Sequence, residues 1–268
     1  MLRPRIIPCL LVHNKGLVKT VKFKEAKYVG DPINAVKIFN EKEVDELIVL
    51  DIDATVQKRE PDYKMIENLA FECRMPLCYG GGVKTAEVAQ RIFNLGVEKI
   101  AISSSAIERP QLVSEIAQQV GSQSVVVIID AKKNKVGNYD ILTHNAKKNS
   151  GKSIMDLITE FENLGAGEIV VNSIDNDGMM KGYDMELVKI IRKRLKIPLT
   201  VLGGAGSLKD IGTMIREHGI IGSAAGSLFV FKGIYKAVLI SYPDNAQRSI
   251  IIDENYSQFL NNPHNNIN

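Results

Sequence analysis

Asp130 closes a strongly apolar run in "SVVVIIDAKK" (Ser124–Lys133), where a carboxylate is well placed for general acid/base work. Partial desolvation at the end of such a run raises its pKa toward the range useful for proton transfer. An aspartate there also serves, more plainly, to cap the following loop. A run of the same rhythm opens the chain, "RIIPCLLVHN" (Arg5–Asn14), but its equivalent residue is Leu11, which cannot move a proton.

Glycines and serines gather at the ends of other apolar runs. "YGGGVKT" (Tyr79–Thr85) with "SSSA" (Ser103–Ala106) makes one set, and "LGGAGS" (Leu202–Ser207) with "AAGS" (Ala224–Ser227) makes another. Glycines between a strand and a helix let phosphate oxygens approach bare backbone N–H groups at the positive end of the helix. Two phosphate sites are expected, although a tight strand-to-helix turn calls for glycine on backbone grounds alone. "NSGKS" (Asn149–Ser153) is not a phosphate loop of the Walker type, because Ala146 stands where that loop requires glycine and no strand immediately precedes it. His13 and His144 lack a second ligand, so no metal site is expected. Lys15, Lys19, Lys22, Lys24 and Lys27 crowd one segment, which either folds over an anionic substrate or is a solvated charged loop.

Positioning these residues together requires strands that all end at one face. Short β-rich runs lie near residues 5–11, 46–52, 77–80, 99–103, 124–130, 168–173, 199–202 and 219–224. Between most of them lie stretches such as "PINAVKIFNEKEV" and "SIMDLITEFENLG", whose apolar residues recur at three and four. This alternation implies parallel strands with helices outside. An open doubly wound sheet fits it too, but the chain also repeats itself: "VDELIVLDID" (44–53) matches "AGEIVVNSID" (166–175), and the first glycine-rich set matches the second. Two such halves close into a (β/α)8 TIM barrel with a two-fold half-barrel repeat. One barrel is expected over residues 1–260, followed by a polar, disordered tail at 261–268.

At 268 residues and a net charge of +3, the chain is too weakly basic to suggest a nucleic-acid partner. Cys9, Cys73 and Cys78 are odd in number and lack metal-ligand spacing, as expected of reduced thiols in a cytoplasmic protein. No long uncharged apolar stretch points to export or membrane spanning. Parity along the strands turns Arg5 inward if Leu11 is inward, and Lys99 inward if Ser103 is. Glu46 and Glu168 occupy equivalent places in the two halves. Four charges would ring the barrel floor, either as a polar gate or as strand-start charges paired at the surface.

The segments "RIIPCL", "GDPI", "DELIVLDI", "GGGVKT", "GSQSVVVIIDAK", "GAGEI", "DNDGMMKGYD" and "GGAGSL" resemble the cyclase subunit of imidazole glycerol phosphate synthase, the HisF family, over roughly residues 1–240. The resemblance implies a barrel that binds a phosphoribulosyl bisphosphate at its top face, while a glutaminase (HisH-like) subunit docks at the N-terminal face and sends ammonia through the centre. It needs no cofactor. By the same resemblance Arg5, Glu46, Lys99 and Glu168 match the ammonia gate, and Lys19 falls in a mobile loop. Gly82, Ser103 and Ser104 match one phosphate site, with Asp177, Gly178, Gly204, Gly226 and Ser227 in the other. That family uses two carboxylates, one matching Asp130 and the other falling at Leu11. "CLLV" and the segment from Gly16 to Leu47 look more like HisF paralogues associated with bacterial surface polysaccharides. Those imply ammonia passed to a sugar amidotransferase. Retention of the histidine-pathway cyclase reaction is the alternative.

Overall fold

A computed structural model describes residues 3–262, so most of the expected tail at 261–268 lies outside the described residues. Eight parallel strands form a closed barrel: β1 (Arg5–His13), β2 (Leu47–Asp51), β3 (Leu77–Gly80), β4 (Lys99–Ile102), β5 (Val125–Lys133), β6 (Glu168–Ser173), β7 (Leu199–Leu202) and β8 (Gly222–Ala225). Each pairs in parallel with its neighbours, and β8 returns to β1 with Arg5 opposite Gly222. Several strand ends differ from the sequence expectation by one to three residues. Glu46 stands just before β2, and β8 begins three residues later than expected, after Gly219, at φ +67 and ψ −124, caps the preceding helix.

Helices fill the crossovers and turn their apolar faces onto the barrel. The helix Pro32–Glu41 starts where Asp31 accepts from the Asn34 N–H, and buries Ala35, Val36 and Phe39. Ser207 and Asp210 form a reciprocal cap for Leu208–His218, which buries Ile211, Met214 and Ile215. The final helix, Asn245–Leu260, packs on that helix and sets Phe259 against Gly219. Two apolar cores result. The larger lies between strands and helices; the smaller fills the barrel itself with Ile7, Cys9, Ile48, Cys78, Val126, Val170 and their neighbours. Among the described residues no helix is long and apolar enough to cross a membrane.

The first and fifth strands do not pass directly to helices. After β1 the chain folds back as an antiparallel hairpin, Gly16–Val21 with Lys24–Gly30. Its bends fall at Asn14-Lys15 and Lys22-Phe23, all four with positive φ, the backbone demanded by two-residue hairpin turns. After β5 a second antiparallel excursion returns through Tyr139–Thr143, placing Leu142 opposite Asp130. The segment that holds Lys19 is paired as a sheet extension.

Candidate functional site

The floor is built first. Arg5, Glu46, Lys99 and Glu168 come from or beside β1, β2, β4 and β6, elements that can meet only across the interior. Arg5 pairs with Glu46 and, at 2.7 Å, with Glu168; Lys99 reaches Glu46 at 2.8 Å and Glu168 at 2.9 Å. The four charges alternate in sign around a closed ring, and Thr200 Oγ1 donates to Glu168 Oε1 at 2.5 Å. Burial alone would raise the Glu168 pKa. Attraction to Arg5 and Lys99 outweighs it and holds the carboxyl at about 2. Gly222 makes room beside this ring, since a Cβ there would lie 1.8 Å from Thr200 Oγ1.

The opposite end opens as a cavity of about 170 Å³. Its walls hold Lys19, Gly82, Ser103, Ser104, Asp130, Asp177, Gly178, Gly204, Gly226 and Ser227, which thus share one space. Leu11, Leu50, Ile128 and Leu202 supply its apolar part. Asp130 is pushed up to about 7, mainly by desolvation and slightly by Asp177, against the opposing effect of a hydrogen bond from Asn172 Nδ2 at 3.0 Å. A carboxyl so tuned can both hold and release a proton near neutrality. Leu11, on the strand related to β5 by the repeat, offers no second acid.

The two glycine-rich sets flank this cavity. Gly81 and Gly82 have φ +122 and +74, Gly203 and Gly204 +92 and +114, conformations that side chains oppose. Ser103 precedes the short helix Ser104–Glu108, and Gly226 precedes Ser227–Val230, at equivalent places after β4 and β8. Exposed backbone at such turns can receive anionic oxygens.

Three of these cavity residues also make or hold the first hairpin. Lys19, assigned to a mobile loop, sits in the first hairpin at 5 % exposure, and its ammonium donates to the Cys9 carbonyl at 2.5 Å. Burial lowers its pKa. Asp177 accepts from Thr20 Oγ1 at 2.7 Å and from the Phe23 N–H at 3.1 Å, while its carbonyl accepts from Lys22. Gly178 lies under the Thr20 carbonyl, where a Cβ would come within 2.1 Å. These contacts fasten the hairpin over the mouth. From the other half, Asn145 Nδ2 donates to the Ile52 carbonyl at 2.7 Å, and the His144 N–H donates to Ser104 Oγ at 3.1 Å.

A family model described as "Histidine biosynthesis protein" matches residues 5–236. A protein of Leptospira borgpetersenii named "Putative imidazole glycerol phosphate synthase subunit HisF" is 58% identical over 94% of this chain and 99% of its own. The chain belongs to the HisF family. Another member, "Putative imidazole glycerol phosphate synthase subunit hisF3" of Vibrio vulnificus, is 56% identical over 92% of this chain and 96% of its own. The "Imidazole glycerol phosphate synthase subunit HisF" of Streptococcus sanguinis is 37% identical over 85% of this chain and 91% of its own. For a HisF-family barrel, two polar residues at the mouth escaped the sequence reading. Asn172 lies four positions after Glu168 on β6, so strand alternation turns the two to the same face. Asn145 had no such signal, because its place depends on three consecutive left-handed residues, His144 to Ala146.

Proposed function

We propose that this chain is the barrel subunit of a glutamine-dependent amidotransferase, taking ammonia from a glutaminase docked on the N-terminal face and releasing it at the mouth. The acceptor in this reading is a sugar amidotransferase that modifies a bacterial surface-polysaccharide sugar. One observation carries it: a complete four-ion ring underlies a mouth in which Leu11 stands where the HisF family has one of its two catalytic carboxylates. Burying four ions costs several kcal/mol each unless they are paired, so a purely structural floor would be simpler if apolar. In this reading the ring admits a small nitrogen donor by exchanging ion pairs for hydrogen bonds. Between ring and mouth the barrel is filled by apolar residues, Ile7, Ile48, Cys78, Ala101 and Ala224, and in this reading passage among them favours neutral ammonia over hydrated ions. Asp130 keeps its raised pKa at the exit.

A second reading, the cyclase reaction of histidine biosynthesis, draws support from both glycine-rich sets keeping the backbone of anion sites. The two separate in one assay. The chain is supplied with an ammonium salt and the phosphoribulosyl bisphosphate, and product formation is followed. The proposal expects a rate about 10²- to 10⁴-fold below a two-carboxylate enzyme. A comparable rate rejects it. With the glutaminase present, nitrogen from labelled glutamine is expected to reach the acceptor ahead of an unlabelled ammonium pool.

A further inference from the structure

Asn172 stands at the top of β6 with 6 % of its surface exposed. Its Nδ2 donates to Asp130 Oδ1, which fixes the amide's orientation because its oxygen would repel the carboxylate. Asn172 Oδ1 is therefore turned away, buried and without a hydrogen-bond partner in the protein. Ser103 Oγ is buried and unpartnered as well, and all three residues line the mouth cavity. Buried acceptors are ordinarily satisfied, so a donor belongs here.

We propose that Asp130 and Asn172 form a binding station for an ammonium ion at the mouth of the barrel, with N–H groups donating to the Asp130 carboxylate and to Asn172 Oδ1. The station rests on the conduit reading above and names where the cargo pauses: neutral ammonia arriving from the barrel takes the proton held by the Asp130 carboxyl to become ammonium, and returns that proton to Asp130 as it leaves. Calcium or magnesium would demand about six or more oxygens, which the apolar neighbours Leu11, Ile128 and Leu202 do not provide. Four tetrahedral N–H groups need fewer. The same cavity already seats an alkylammonium, that of Lys19 on the Cys9 carbonyl.

The test uses the whole chain with 13C-labelled aspartate carboxyls, titrated with ammonium chloride and, separately, with sodium chloride at equal ionic strength. A saturable shift of the Asp130 resonance with ammonium and none with sodium is expected, weakened about tenfold or more in Asn172→Leu. Equal responses to the two salts, or an ammonium response untouched by Asn172→Leu, would overturn the station. The salt comparison needs no variant, so misfolding of Asn172→Leu leaves it decisive. Labelled-glutamine transfer is read separately: transfer without the ammonium shift removes the station alone, and the shift without transfer removes the conduit.

Discussion

Leu11 and Asp130 face the same cavity from strands related by the internal repeat, and the difference between their side chains sets what the mouth can do. Restoring an acid by Leu11→Asp is expected to raise cyclase turnover at least about 10²-fold if the anion sites still hold the bisphosphate, measured as product formed with ammonium salt. Asp130 also leaves a mark on stability. Its pKa rises from 3.8 in the unfolded chain to about 7 in the fold, so the folded state holds the extra proton in that window and loses stability as pH climbs through it. Asp130→Asn removes the titration. Between pH 4 and pH 8 the variant should gain about 2 kcal/mol relative to the native chain in urea unfolding, a figure reduced for the solvent that reaches the cavity. Asp130 and the four floor charges were legible because strand parity and an apolar run are local signals. The engagement of Asp177 was not, since it depends on a hairpin far earlier in the chain, whose Phe23 lies 154 positions before it.

At the scale of elements, the strands and helices follow from apolar periodicity, and the eightfold count follows from the repeat. The hairpin Gly16–Gly30 was hidden because its bends use Asn14-Lys15 and Lys22-Phe23, with no glycine at either centre to advertise a turn. Its lysines read as a loop, yet four of the five point outward from a sheet extension while Lys19 alone is buried. Asp177→Ala removes the acceptors for Thr20 and Phe23. It is expected to cost about 1–3 kcal/mol locally, seen as faster amide hydrogen exchange across residues 17–29 with little change in the barrel strands. Unchanged exchange there would show that Gly178 and Lys19 suffice to seat the hairpin.

Across the whole molecule, the floor ring ties β1, β4 and β6 to the residue entering β2. Removing one charge strands its partners, so Arg5→Ala is expected to destabilise the chain by about 3–5 kcal/mol in chemical denaturation. Acid probes the same ring. Glu168 is held at about 2 against 4.5 in the unfolded chain, so its contribution is complete above pH 4.5 and is lost as pH falls from 4.5 toward 2. The excursions over the mouth bind the halves from the other end, and they do so crosswise. The hairpin from the first half is secured by Asp177 of the second, while Asn145 of the second grips Ile52 of the first. Each half therefore carries the clasp that its sister lacks. A chain severed at Gly121, with both pieces produced together, should recombine into one barrel, whereas either piece alone would be left holding an empty buckle.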